Sequence, residues 1–406
     1  MTRAPVDPTV AATPTGPAGE SSVMATYARY PVTLVRGDGM RVWDDEGREY
    51  LDMVGGLGAL SLGHAHPRWV EAVDRAARGI GLVSNLFATP PQAELAERLA
   101  QLLSVEDARV FLCNSGAEAN EALLKLVRRW GLPQGRPAIV ALDGSFHGRT
   151  VGALAATGQP AKRAAFEPLV DWFRFVPPGD AEALGEALST GDVAAVLLEP
   201  VMGEGGVIPL AAAYLRDVRR RCDEHGALFV VDEVQSGMGR CGSWLALEAA
   251  EVAPDAVALA KALGGGLPIG ALVARAELSF APGEHASTFG GGPLPSAAAL
   301  AVLETIERDD LLAHVRTAGG ELRAEVTRLA PPGTLVEVRG RGFLCGFQVG
   351  EGVAANDVVL AMLRRGVLAS TAGPDAVRFT PPFVATTEEL AVAASTLAEA
   401  LDEVAP

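Results

Sequence analysis

Lysine is almost missing from this 406-residue chain: it occurs only as Lys125, Lys162 and Lys261, and arginine carries nearly all the other positive charge. Chemistry that needs a primary amine therefore has few candidates. Cysteine is equally sparse. Cys113, Cys222, Cys241 and Cys345 are too few and too irregularly spaced for a disulfide framework or a zinc site, and they read as buried thiols in a reducing compartment, the cytoplasm by default. No apolar run approaches the ~18 residues of a membrane span, and the opening "MTRAPVDPTVAATPTGPAGESS" has no apolar signal core. Excess positive charge is missing as well. With 34 Lys and Arg against 50 Asp and Glu, the formal net charge of −16 offers no attraction to nucleic acid or to an anionic membrane, so small molecules are the expected partners.

What is present is enough apolar material, 49% of residues, for a large core divided into two or more lobes. Residues 1–22 are rich in Pro, Thr, Ala and Gly and are expected to form a flexible tail. Short apolar runs followed by helical patterns fill the middle of the chain, the pattern of βα units feeding a largely parallel sheet. "ARVFLC" (108–113) leads through "NSG" into "AEANEALLKLVRRW", and "AAVLLEP" (194–200) precedes "AAAYLRDVRRRCDEHG". "ALFVVDEV" (227–234) and "DAVALA" (255–260) follow as further buried strands. The fold class is α/β. From about residue 305 helices and strands segregate, as in a smaller α+β domain. The expected division is a segment 23–60 joining that small domain, a large domain 61–304 and the small domain 305–406.

Four groups of residues carry candidate chemistry. In "ALAKALGGGLPIGALVA" (258–274) Lys261 stands among apolar residues, Gly and Pro; desolvation there would depress its pKa and favour the neutral amine that forms imines. A lysine snorkelling from a strand end to solvent would read the same way. "CNSGAEANEALLK" (113–125) places a helix start after a buried strand, a natural phosphate site, and equally an ordinary turn capped by Asn114 or Ser115. "VVDEVQSGMGR" (230–240) puts Asp232 at the C-terminal edge of the sheet, where ligands bind in open α/β folds. There it would face a cationic ligand or make a structural salt bridge. "DGSFHGRT" (143–150) offers Phe146 to cover a flat ring and Arg149 to fork a carboxylate. His147 between them is read first as a packing or hydrogen-bonding residue.

Together these are the fittings of pyridoxal 5′-phosphate. From about Tyr27 to Pro382 the chain resembles the class III aminotransferases of fold type I, and looks closest to their acetylornithine aminotransferase branch. The segments that carry the resemblance are "LGHAHP", "VSNLF", "NSGAEANEALLKL", "SFHGRT", "LEPVMGEGGV", "DEVQSGMGR", "AKALGGGLPIGA", "STFGG" and "VRFTPP".

The resemblance implies a large domain with a mostly parallel seven-stranded sheet. It implies that Lys261 carries the cofactor covalently, that Asp232 pairs with its ring nitrogen, and that Gln235 bonds its phenolic oxygen. Ser115, Gly116 and Ala117 would hold the phosphate, with Thr288 reaching across from a second subunit of a homodimer. Phe146 would stack on the ring. Arg149 would grip a distal carboxylate, and Glu204 would mask Arg378 until an α-carboxylate displaces it. Tyr27 stands where ornithine-type relatives place a substrate-contacting tyrosine. The implied reaction moves the terminal amino group of N-acetylornithine or a similar ω-amino compound to 2-oxoglutarate, as in arginine biosynthesis. Another ω-amine as donor, a racemase or aminomutase, and a silent cofactor-binding protein are the alternatives. Departures fall after "STFGG", where Gly292 and Pro295 replace the family's usual residues, and in "VLASTAGPDAVRF", which lacks the asparagine common after "VL".

Overall fold

The computed structural model describes residues 22–405, so the expected N-terminal tail lies almost wholly outside the described residues. At the centre is a seven-stranded sheet, numbered here in chain order. Its strands are β1 Ala108–Cys113, β2 Ala138–Leu142, β3 Phe173–Val176, β4 Val193–Leu198, β5 Leu228–Asp232, β6 Ala256–Leu259 and β7 Gly270–Arg275. They lie in the order β1-β7-β6-β5-β4-β2-β3. Only β7 is reversed, pairing antiparallel with both β1 and β6. The remaining neighbours are parallel.

Strands β2, β4, β5 and β6 are buried along their whole length, which is why they read as unbroken Val, Ala and Leu runs. Alternate side chains still go to opposite faces. Val196, Leu198, Phe229, Val231, Val257 and Leu259 join one core cluster, whereas Ala195, Leu197, Leu228, Val230, Ala256 and Ala258 join another. Helix Gly116–Gly131 closes the second face with Ala119, Leu123, Leu126 and Val127.

A second sheet pairs Leu335–Arg341, Leu344–Val349, Ala376–Phe379 and Ser370–Ala372, all antiparallel. Helices Leu311–Leu329, Ala355–Arg364 and Thr387–Val404 belong to the same stretch of chain. The last of these opens with a capping box, Thr386 Oγ1 accepting from Glu389 N while Glu389 Oε2 accepts from Thr386 N. The chain before the large sheet forms the hairpin Leu34–Asp38 and Arg41–Asp44, continued by Glu49–Asp52. Val367 and Leu368 then add in parallel beside Leu51 and Asp52. The N-terminal segment therefore hydrogen-bonds to the C-terminal part of the chain.

Several contacts fix these parts around the large sheet. Arg240, fully buried, donates to the carbonyls of Gly58, Phe343 and Pro381. Burial pushes its pKa down to about 10; Nη1 and Nη2 donate to three separate stretches of backbone, while Nε has no partner in the structure. Ser61 Oγ bonds Ala262 O at 2.9 Å, and Ser61 O accepts from Phe383 N at 2.7 Å. One residue thus links the Lys261 turn to the segment that follows Arg378.

Candidate active site

The C-terminal ends of β1, β2, β4, β5 and β6 deliver their loops to one cavity of about 540 Å³. This is the edge of an open α/β sheet where ligands bind. Its walls include Tyr27, Ser115, Gly116, Ala117, Phe146, Arg149, Glu204, Asp232, Gln235 and Lys261. Arg378 stands just behind, bonded to two of these wall residues. Thr288 does not reach this cavity. It lies on an exposed loop beside a separate hollow lined by Asn85, Phe111 and Ser287.

Lys261 opens a short turn after β6 with φ of +42°, a left-handed backbone that non-glycine residues seldom adopt. Such a conformation persists only where its surroundings impose it. Among the described residues no hydrogen bond or ion pair holds its amine. Burial pushes its pKa below the ordinary lysine value, and Arg378 adds to this, against the pull of Glu204, Asp232 and Glu199. An unheld amine biased toward its neutral form is suited to nucleophilic chemistry.

Asp232, at the end of β5, is buried and accepts from three donors. Asn120 Nδ2 lies 2.6 Å and His147 Nδ1 2.8 Å from its Oδ2, and Val234 N lies 2.9 Å from Oδ1. Asp232 therefore has structural partners and also lines the cavity. Asn120 Oδ1 and His147 Nε2 remain buried without a partner in the structure, polar capacity left over on cavity-lining side chains. His147 does the hydrogen-bonding work expected of it. Asn120 was not singled out in the sequence, although a polar residue on the apolar face of "AEANEALLKLV" is a readable signal. Glu199 is a similar omission. It follows the buried β4 much as Asp232 ends β5, and accepts from Phe146 N at 2.9 Å and Gly203 N at 3.1 Å. Burial raises its carboxyl above the usual carboxylate range, opposed by His147.

At the N-terminus of helix Gly116–Gly131, Ser115 Oγ accepts from Glu118 N at 3.2 Å. The capping reading thus holds for Ser115. It leaves the N–H groups of Gly116 and Ala117 without intrahelical acceptors. Glycine is required here, since a Cβ on Gly116 would meet Val234 Cγ1 at 2.5 Å.

Glu204 and Arg378 form an ion pair, Nη1 to Oε1 at 2.5 Å. Arg378 is only 2% exposed and also contacts Ser370 Oγ and Gln235 Oε1, both at 3.3 Å. Burial alone would raise the Glu204 carboxyl, but Arg378, supported by Lys261 and Lys162, holds it below the usual carboxylate range. Gln235 is fixed from the other side by Leu57 O at 3.3 Å. Its amide lies so close to Gly203 that a Cβ there would fall 1.7 Å from Oε1. The glycine before Glu204 is therefore a matter of space.

Of the other two lysines, Lys125 is remote, bonding Glu284 O and His285. Lys162 is near the site: its ammonium is 5.4 Å from the centroid of the Phe146 ring.

Fold and cavity together define an enzyme of the fold-type I group that works with pyridoxal 5′-phosphate, and the residues present fit that group. An unheld amine, a buried carboxylate at a strand end, a glycine-opened helix N-terminus and an aromatic ring surround one space. The Aminotransferase class-III family model matches residues 23–401, and the chain belongs to that family. It is 47% identical over 396 residues to the acetylornithine aminotransferase of Thermosynechococcus vestitus, covering 94% of this chain and 96% of that one. An ornithine aminotransferase structure from Toxoplasma gondii, with partial occupancy of PLP at its active site, superposes with a TM-score of 0.90 at 33% identity, covering 95% of this chain and 92% of that one. The N-acetylornithine aminotransferase of Stenotrophomonas maltophilia gives 0.81 at 39% identity, covering 92% and 96%.

Proposed function

We propose that this transaminase moves the terminal amino group of N-acetylornithine or a similar ω-amino compound to 2-oxoglutarate, yielding a semialdehyde and glutamate. The observation that carries the reading is the Glu204–Arg378 pair at the cavity wall. One site must accept an amine on a carbon without a carboxylate and later an amine beside an α-carboxylate. An arginine whose charge is masked by a movable carboxylate serves both. A racemase or aminomutase, which exchanges no amino group with a second substrate, has no such need.

When bound, pyridoxal phosphate supplies an aldehyde carbon for amine exchange and a ring that takes up electron density from the bond being broken. Lys261 would carry it. Ser115, Gly116 and Ala117 would hold the phosphate, and Phe146 would cover the ring. Asp232, kept in place by Asn120 and His147, would hold the charge of the ring nitrogen, with Gln235 at the phenolic oxygen. Once displaced, Lys261 Nζ is the base that takes the proton from the donor's amine-bearing carbon. Its depressed pKa leaves more of the neutral amine at neutral pH than an ordinary lysine would have. Arg149 forks the distal carboxylate, and Tyr27 contacts the donor at the rim. For the second substrate Glu204 swings aside and Arg378 receives the α-carboxylate.

The reading includes a homodimer. Leu86, Phe87 and Phe289 are 88%, 67% and 61% exposed, apolar surface that a second copy would cover, and Thr288 on that side would complete the partner's phosphate site. We place the reaction in the cytoplasm, supported by four free buried cysteines; no helix among the described residues is long and apolar enough to cross a membrane.

The test is glutamate formation from 2-oxoglutarate with N-acetylornithine, ornithine, 4-aminobutyrate and putrescine as donors. N-acetylornithine is expected to give the highest kcat/KM. Absence of glutamate with every ω-amine would defeat the assignment.

A further inference from the structure

The turn that carries Lys261 is held from outside by a single stretch of chain. On its N-terminal side the left-handed Lys261, φ +42°, follows β6, where Glu233 N donates to Ala258 O at 2.9 Å, and the turn closes on itself from Leu263 N to Ala260 O at 3.0 Å. On its C-terminal side two side chains donate to turn carbonyls. Ser61 Oγ bonds Ala262 O at 2.9 Å, and Trp69 Nε1 bonds Gly264 O at 3.1 Å. Gly265, φ +58°, lies so close to the indole that a Cβ there would stand 2.9 Å from Nε1. Both donors sit on anchored backbone. Ser61 is wholly buried and its carbonyl accepts from Phe383 N at 2.7 Å; Trp69 lies in helix Pro67–Ala77, which packs on helix Pro293–Arg308.

A left-handed residue other than glycine relaxes toward ordinary backbone unless its neighbours over-determine it. Relaxation at Lys261 would turn its Cα–Cβ bond and carry the amine away from its present place. There burial and Arg378 lower its pKa, against the pull of Glu204, Asp232 and Glu199.

Resting on the assignment of Lys261 as the reactive amine, we propose that Ser61 and Trp69 are positioning residues. They hold the Lys261 backbone in its left-handed form and so keep the amine desolvated at the cavity.

The experiment reads the amine directly. The full-length chain, freed of cofactor, is methylated with formaldehyde and cyanoborohydride across a pH series, and mass mapping follows Lys125, Lys162 and Lys261 separately. In Ser61→Ala the Lys261 profile is expected to move up by about one pH unit as the amine reaches solvent, while the other two profiles stay. Ser61→Cys, a weaker donor of similar shape, falls between. Trp69→Phe keeps an aromatic ring and loses the N–H; it moves the Lys261 profile in the same direction, and it decides the matter where Ser61→Ala does not fold. In the Ser61→Ala holoenzyme, kcat per bound cofactor falls by roughly tenfold, the scale of one hydrogen bond, with KM for both substrates unchanged. A Lys261 profile unmoved in the folded variants, or one that moves together with those of Lys125 and Lys162, would overturn the positioning role. Methylation needs no cofactor, so this failure is distinct from that of borohydride trapping in the holoenzyme, where a label absent from Lys261 would remove the assignment itself.

Discussion

Glu204→Gln isolates the charge that masks Arg378. Glutamine keeps an oxygen for the Nη1 hydrogen bond, so the buried guanidinium is not left bare, a loss that would cost about 3–5 kcal/mol. What disappears is the charge. The pair is short, at 2.5 Å, and the arginine is 2% exposed, so a charge-assisted bond of about 1.5–3 kcal/mol gives way to a neutral-acceptor bond of about 1 kcal/mol. The difference, about 0.5–2 kcal/mol, is the work an incoming α-carboxylate no longer performs, and it corresponds to roughly a two- to thirtyfold gain in acceptor affinity. The donor gains nothing. It meets an uncovered cation where it has no carboxylate, and its half-reaction is expected to slow by a similar factor. The assay is single-turnover absorbance of the holoenzyme with N-acetylornithine and, separately, of the amine-loaded enzyme with 2-oxoglutarate. The ratio of the two apparent affinities should shift toward 2-oxoglutarate. A uniform loss in both directions, or no shift in the ratio, would show that Glu204 only supports Arg378 structurally.

The residues that carry this argument differ in how visible they were. Lys261, Asp232 and Ser115 each follow a buried apolar run directly, so their place at the sheet's C-terminal edge follows from chain order. The strands β2, β3 and β7 were not singled out, because short apolar runs such as those of β2 and β7 do not distinguish a strand from a buried helix segment, and β3 is interrupted by Arg174. The reversal of β7 has no compositional signature at all. It is visible only in its pairing with β1 and β6. Glu204 and Arg378 are separated by 174 residues, and only the resemblance linked them. Their meeting depends on Arg240 and Ser61 drawing distant backbone together, contacts with no local pattern. Lys162 was visible as one of only three lysines, but nothing local placed it beside Phe146. Its proximity to Phe146 is made by backbone bonds between two loops.

Three further perturbations probe the site and its support. Lys261→Ala is expected to reduce turnover by at least roughly 10²–10⁴-fold, the range for a lost general base. Borohydride trapping and peptide mapping of the wild type should place the cofactor on residues 258–274, and a label on Lys125 or Lys162 instead would refute the role. Gly116→Ala drives a methyl against Val234 Cγ1 at 2.5 Å, a strain of about 1–3 kcal/mol. Cofactor retention should weaken, and Val234→Ala in the same chain should recover it; no recovery would mean that the clash is not the cause. The third is Glu233→Gln, which tests the cost of a buried acid. Glu233 is fully buried, bonded by Ser236 Oγ at 2.5 Å and Leu247 N at 2.8 Å. Burial pushes its pKa up to about 7. An acid with a raised folded-state pKa stabilises the fold below its unfolded value, and that contribution is lost as pH rises toward 7. At about 1.4 kcal/mol per pKa unit, the loss is on the order of 3 kcal/mol between pH ~4.5 and ~7. Glutamine has no such slope, and it can accept from Leu247 N while donating to Ser236. Urea unfolding should therefore show the variant gaining on the wild type from pH 5 to pH 8. A difference that is the same at both would mean that Glu233 stays ionised inside the fold, and that its two donors outweigh its desolvation.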